Sequence, residues 1–99
     1  MDGELQSIIE RIKTIKPDLV DRYHVSSIAI FGSYVRGEEK TESDLDILVS
    51  FSDSPDLFDL ASLNIFLENE LGIKVDLVPD MNLKPKIAQS IYAEKIDIP

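Results

Sequence analysis

Cysteine is absent from this chain of 99 residues, and histidine occurs once. The lack of cysteine excludes a disulfide framework, a thiol nucleophile and a thiolate metal site. A single histidine, His24, with no second nitrogen ligand near it in sequence is expected to be an ordinary loop residue. No apolar stretch approaches membrane-spanning length, and residues 1–4 lack the basic start of a signal peptide. We therefore expect a cytoplasmic protein that does not associate with membranes.

Basic residues are also scarce, because 10 lysines and arginines face 19 acidic residues and leave a formal charge of -9. Binding to a nucleic-acid backbone relies on lysine and arginine, so a nucleic-acid partner is disfavoured. The charge would suit a basic protein partner, although an acidic surface also keeps small domains in solution. With 43% hydrophobic residues, the sequence predicts one compact domain over residues 1–99. One small domain has no second domain to enclose a substrate. A second copy of the chain or a separately encoded partner would then close the open side of a substrate site.

Only four glycines are present, and one of them marks a turn that suits a phosphate group. Residues 25–31 are dense in apolar and β-preferring types and predict a buried strand that ends at Gly32-Ser33. A glycine without a Cβ lets backbone N–H groups approach a ligand closely. A short helical turn over residues 33–37 would add free N–H groups and the Ser33 hydroxyl. Arg36, one turn later, either reaches the site or forms a surface ion pair with Glu38 or Glu39.

Two aspartates follow at strand spacing. Residues 45–51 predict a strand, in which side chains alternate between faces, so Asp44 and Asp46 share one face while the apolar residues between and after them point into a core. Two carboxylates about 6.5 Å apart repel each other. Such a pair persists by sharing a proton or by binding a divalent cation, and hard oxygen ligands suit Mg²⁺ or Mn²⁺. Next to a phosphate site we favour the cation.

The order of these residues carries a resemblance to a known family. Gly32-Ser33, Arg36-Gly37 and Ser43-Asp44-Leu45-Asp46 resemble the signature of the minimal nucleotidyltransferases of the DNA polymerase beta superfamily. That superfamily takes a third carboxylate from a later strand, and Asp76 occupies such a position within residues 73–78. The resemblance covers nearly the whole chain and implies an α/β fold of the polymerase-beta-like nucleotidyltransferase type. It implies a small mixed sheet with the first three strands in the order one, two, three.

The same resemblance implies an activity. Asp44, Asp46 and Asp76 would be the catalytic and metal-binding residues, and Gly32, Ser33 and Arg36 would bind the nucleotide. The implied reaction is transfer of AMP from ATP to a hydroxyl group, with Mg²⁺ or Mn²⁺ as cofactor. Chains of this size resemble antitoxins whose partner is a HEPN-domain toxin that they adenylylate on a tyrosine. The alternative function is a catalytically silent module that neutralises or scaffolds its partner by contact, and the alternative assembly is a homodimer.

The remaining pattern predicts three helices. In the first, apolar residues at a spacing of three and four form one face, and Pro17 is expected to end or kink the helix near Lys16, with Leu19 and Val20 packing in a further turn. The apolar face of this helix consists of Leu5, Ile8, Ile9, Ile12 and Ile15. The acidic residues in the loop over residues 38–42 are expected to point to solvent.

The second helix is expected to have Asp53 or Ser54 as its cap, Pro55 in its first turn and Gly72 at its end. Its predicted core stripe is Leu57, Leu60, Ala61, Leu63, Leu67 and Leu71. Phe58, Ile65 and Phe66 fall off that stripe, so they predict either a partner or dimer surface or burial under the C-terminal segment. The last helix, over residues 86–93, should turn Ile87, Ile91 and Tyr92 inward, and the tail adds a short extended piece.

Overall fold

Alternating helices and strands in the computed structural model, which describes residues 3–99, build one four-stranded sheet with helices on both faces. Residues 1–2 and the side chain of Asn82 lie outside the described part. Residues 1–2 belong to the start of the chain, for which the sequence predicts no signal peptide. The elements are α1 (Gly3–Tyr23), β1 (Val25–Phe31), α2 (Ser33–Arg36), β2 (Leu45–Phe51), α3 (Leu57–Leu71), β3 (Val75–Pro79), a 3₁₀ turn (Asp80–Asn82), α4 (Pro85–Glu94) and β4 (Ile96–Asp97).

The sheet has the strand order β3-β2-β1-β4. β1 pairs antiparallel with β2 and with β4, whereas β2 pairs parallel with β3. A parallel pair needs a crossover connection, and α3 provides it between β2 and β3. The predicted mixed sheet and the order of its first three strands are confirmed, and the extended tail is β4.

The main core lies between one face of the sheet and helices α1 and α3. In β2, Leu45, Ile47 and Val49 are fully buried on this face, as strand alternation requires. The predicted stripe of α1 joins them, because all five of its residues are buried. A smaller cluster of Ala29, Leu48 and Ile91 covers the other face under α4.

Helix α1 continues through Pro17 to Tyr23, so it does not end near Lys16, and the further helical turn predicted after the proline is confirmed. Proline removes one helical hydrogen bond, but the segment beyond it is held by Leu19, which is fully buried on the same side as the preceding stripe. Val20 was expected in the core and is instead 45% exposed. The burial of Leu19 therefore outweighs the local preference of Pro17.

Helix α3 differs most from its prediction. Its cap is Asp56, which forms a reciprocal capping box with Asp59, and not Asp53 or Ser54. Leu63 and Leu67 are buried, whereas Leu57 is 82% exposed. Of the predicted stripe, Ala61 is also exposed, and Leu60 and Leu71 are half-buried. Gly72 ends the helix at φ 71°, as predicted.

The off-stripe residues of α3 separate into two groups. Phe58 and Ile65 are 84% and 58% exposed and leave an apolar surface on the helix. Of the two alternatives for Phe66, burial is observed, because it packs against the core with its ring centroid 5.3 Å from that of Tyr23 in α1. The buried flank is formed with α1, whose position relative to α3 the local sequence does not specify.

The C-terminal segment and the charged loop need two further corrections. In α4 only Ile91 is buried, while Ile87 and Tyr92 are about half exposed. Tyr92 donates a 2.6 Å hydrogen bond to Asp80 instead of entering the core. In the loop, Glu39 is half-buried rather than solvated. It lies near Tyr34, whose hydroxyl pKa is raised by burial and further by the charges of Glu4 and Glu39.

Candidate active site

The carboxylates of Asp46 and Asp76 lie on adjacent strands at the same level. They are partners in the parallel register of β2 and β3, and neighbouring strands lie about 4.8 Å apart. Asp44 immediately precedes β2 and is exposed. The hydrogen bonds between β2 and β3 begin next to Asp44, where the N–H of Leu45 donates a 2.8 Å hydrogen bond to the Lys74 carbonyl.

Alternation along β2 explains why the acidic side chains face away from the main core. The buried residues Leu45, Ile47 and Val49 occupy one face, so Asp46 occupies the other, together with Leu48. In β1, the residue opposite Asp46 is Phe31, which directly precedes the glycine turn. The candidate site therefore lies at the end of β1, on the sheet face covered by α4.

The pKa of Asp46 is raised to about 6, and burial is the largest cause. The negative charge of Asp76, a hydrogen bond with its carboxyl group and the charge of Asp44 are the other contributions to this rise. The positive charge of Arg36 acts in the opposite direction. A carboxyl group with such a pKa is partly protonated just below neutral pH, and binding of a cation would favour its ionised form.

Gly32 forms the turn at the end of β1 in a conformation that suits glycine alone. Its φ is 83° and its ψ is -153°. A Cβ placed on Gly32 would lie 2.0 Å from Oδ2 of Asp46. The backbone of the turn and the Asp46 carboxylate therefore touch, which only a residue without a side chain permits. From this turn α2 begins at Ser33, as the sequence predicted.

Arg36 is held by two glutamates. Its Nε donates to Oε1 of Glu38 at 2.8 Å, the ion pair that the sequence left open. Its Nη1 donates to both carboxylate oxygens of Glu94, at 3.1 and 3.0 Å. Glu94 also accepts a 2.9 Å hydrogen bond from the N–H of Gly32. These bonds raise the pKa of Arg36, so its positive charge is secure.

A cavity of about 410 Å³ opens beside these residues, between the turn and α4. Its lining combines apolar side chains with both charges, and includes Phe31, Gly32, Arg36, Asp46, Ile87 and Glu94. A larger hollow of about 530 Å³ lies near Ser43 and Lys74 and contains none of the predicted site residues. We place the candidate site at the first cavity, because Gly32, Arg36 and Asp46 all reach it.

The donor set suits a hard divalent cation, since Asp46 and Asp76 present oxygen ligands side by side at the same level of the sheet. Within residues 3–99, however, no three acidic or histidine side chains already surround a single point. Asp46 and Asp76 form a pair, and Asp44 lies beside it on the solvent side. The role of Asp44 in holding a cation stays a prediction.

The structure brings Gly32, Arg36, Asp46 and Asp76 together, and Ser33 follows Gly32 at the start of α2. Sequence reasoning missed Glu94, which lies 62 residues from Gly32. Its only sequence signal was a position directly after the helix predicted over residues 86–93. Nothing local shows that this glutamate faces a turn early in the chain.

Comparison with known proteins assigns the family. The model of the nucleotidyltransferase domain matches residues 9–98. The chain belongs to the nucleotidyltransferase family. Among relatives of this nucleotidyltransferase, the protein adenylyltransferase MntA of Thermococcus cleftensis is 46% identical over 89 residues, covering 89% of this chain and 90% of its own length.

Solved structures confirm the predicted fold. A structure described as a candidate minimal nucleotidyltransferase is 35% identical, with a TM-score of 0.78 and coverage of 97% of this chain and 95% of its own. A toxin–antitoxin structure with AMP-PNP is 26% identical, with a TM-score of 0.76 and coverage of 91% and 71%. A complex of a tri-AMPylated Shewanella oneidensis HEPN toxin with an MNT antitoxin shares the fold at 24% identity, with a TM-score of 0.70 and coverage of 94% and 70%.

No helix within the described residues combines the length and the apolar character that crossing a bilayer requires.

Proposed function

We propose that this nucleotidyltransferase transfers AMP from ATP to a tyrosine hydroxyl of a HEPN-domain toxin and acts as the antitoxin of that pair. The observation that carries the proposal is the placement of Asp76 beside Asp46, whose carboxylate touches the Gly32 turn. The relative that is 46% identical is a protein adenylyltransferase, which supports the same reaction. The family resemblance supports the HEPN partner.

In the transfer step, the acceptor oxygen attacks the α-phosphorus of ATP. The bond between that phosphorus and the oxygen bridging to the β-phosphate breaks, and pyrophosphate leaves with the bond's electron pair. The proton of the acceptor hydroxyl passes to the Asp76 carboxylate, which is exposed and hydrogen-bonded to Asp46. ATP supplies the AMP group and the toxin supplies the hydroxyl, so the step needs no further reagent.

Asp44, Asp46 and Asp76 would hold Mg²⁺ or Mn²⁺, which when bound supplies positive charge to the attacking and leaving oxygens. The chain itself supplies the placement of the phosphates. At the turn, Ser33 offers its backbone N–H and its hydroxyl, Gly32 allows close approach because it has no side chain, and Arg36 offers a fixed positive charge beside them. These roles follow the residue pattern and the arrangement around the cavity.

Contact without catalysis is the second candidate function, and the exposed apolar surface of α3 favours it. Leu57 and Phe58 are more than four-fifths exposed, which suits docking against another protein. A silent module would use this surface and leave its partner unmodified. The two functions therefore differ in the mass of the partner after incubation with ATP.

The test is intact-mass spectrometry of a HEPN-domain protein that binds this chain, after incubation of the two with ATP and Mg²⁺. We expect a gain of one or more AMP units with the unaltered chain and none with the Asp44→Asn, Asp46→Asn double variant. Asp21→Asn, an exposed charge change on α1, is the matched control and should preserve the gain.

Unchanged partner mass with the unaltered chain, together with intact partner binding by the double variant, would establish the silent module and refute the transferase.

A further inference from the structure

Glu94 joins two parts of the candidate site although it lies in neither motif. Its Oε1 accepts the N–H of Gly32 at 2.9 Å, and both of its oxygens accept Nη1 of Arg36. Its side chain is 26% exposed, against 63% for Glu38, the other partner of Arg36. A less solvated ion pair that also binds a backbone N–H is better able to hold a fixed geometry.

Both partners of Glu94 depend on accurate placement. Gly32 approaches Asp46 so closely that no side chain fits between them, so a small shift of the turn changes the room available to that carboxylate. Arg36 lies in the same cavity as Gly32 and Asp46. By holding the turn and the guanidinium together, Glu94 determines the distance between the turn and the positive charge.

The backbone on both sides of Glu94 is anchored. Before it, Ile91 is buried in the cluster under α4 and its carbonyl accepts the N–H of Lys95 at 2.9 Å. After it, Ile96 pairs with Ile30 in the sheet. The backbone of Glu94 therefore lies on a short segment tied to the sheet at both ends, which fixes the point from which its side chain reaches Gly32.

We propose that Glu94 is a positioning residue for nucleotide binding, which holds Gly32 and Arg36 in the arrangement that receives the phosphates. The inference rests on the proposed function and adds a residue to it. The opposite role would be that of a competitor, in which the Glu94 carboxylate occupies the donors that a phosphate needs. The anchored backbone favours positioning, and the hydrogen bonds of Arg36 to its glutamates use Nε and Nη1, which leaves Nη2 for another acceptor.

The two roles predict opposite changes in affinity. Glu94→Ala removes both contacts, and Glu94→Gln keeps the volume and an acceptor for Gly32 while removing the charge that pairs with Arg36. We expect Glu94→Ala to raise the Kd for AMP-PNP with Mg²⁺ about tenfold, measured by titration calorimetry, and Glu94→Gln to raise it less. Glu38→Gln is the matched control and should change the Kd by less than about twofold, because its ion pair is well exposed.

A second measurement is independent of nucleotide. The N–H of Gly32 should exchange with solvent about tenfold faster in Glu94→Ala than in the unaltered chain, and at an unchanged rate in Glu38→Gln, as followed by amide exchange in NMR spectra. A purely structural glutamate would lower thermal stability and leave the Kd of the folded protein unchanged. If Glu94→Ala does not fold, the affinity of the isosteric Glu94→Gln decides the question.

Tighter AMP-PNP binding by either Glu94 variant would show that Glu94 competes with the phosphates, and it would overturn the proposal. A Kd within about twofold of that of the unaltered chain in both Glu94 variants would overturn it as well. If the unaltered chain binds no AMP-PNP, the proposed function fails, and the positioning role fails with it even where the Gly32 exchange rates confirm the contact.

Discussion

Replacing Gly32 with alanine tests the contact between the turn and Asp46. At φ 83° and ψ -153°, a residue with a Cβ costs about 1 to 3 kcal/mol in backbone strain. The new Cβ would also lie 2.0 Å from Oδ2 of Asp46, so that carboxylate must leave its position, at a further cost of about 1 kcal/mol for a distorted rotamer. We expect the free energy of unfolding to fall by about 2 to 4 kcal/mol.

Gly37 provides the control. It also has a positive φ, 72°, but a Cβ there would meet nothing within 4 Å. Gly37→Ala should therefore cost only the left-handed strain, about 1 kcal/mol. Urea unfolding measures both changes, and the thermal midpoint of Gly32→Ala should fall by at least about 8 °C in a domain of this size.

The displaced Asp46 should also weaken AMP-PNP binding with Mg²⁺ in Gly32→Ala and not in Gly37→Ala. Equal destabilisation by the two variants, with unchanged nucleotide affinity in both, would refute the close contact as the reason for glycine at this position.

Two further predictions concern charge and surface. The pKa of Asp46 is higher in the folded protein than its ordinary value of 3.8, so without divalent cations stability should decline as the pH rises through about 6. Asp46→Asn should abolish this decline, as measured by urea unfolding at several pH values. Asp44→Asn, the same charge change at an exposed neighbour, should retain part of it. An identical pH dependence in the unaltered chain and both variants would contradict the shared site. On α3, Phe58→Ala should change the free energy of unfolding by less than about 0.5 kcal/mol and weaken partner binding, while Leu63→Ala in the core should cost about 2 to 5 kcal/mol. Undiminished partner affinity in Phe58→Ala would place the docking surface elsewhere.

Much of the fold followed from local patterns in the sequence. The alternation of residues 45–51 determined which side of β2 is buried, and the same alternation put Asp46 on the opposite side. The stripe of α1 and the glycine that ends α3 were predictable for the same reason, because helix periodicity and positive φ depend only on neighbouring residues. The roles of the site residues in binding and catalysis stay predictions.

Other features depended on how distant segments meet. Asp76 lies directly beside Asp46 because of the register in which β2 pairs with β3. That register is set by packing across the whole sheet and not by either strand alone. Helix α1 continues through Pro17 because Leu19 finds a buried place. Leu57 is exposed because the core reaches only the later turns of α3.

The same reasoning applies to Glu94. Its sequence neighbourhood indicates only a helix end, and its partners lie about sixty residues earlier. The tertiary structure brings them together because α4 packs through Ile91 on the sheet face opposite the main core, and β4 then returns along β1. Periodicity in the sequence determines which face of an element is buried, whereas the pairing of side chains across the molecule depends on the relative positions of whole elements, which only folding establishes.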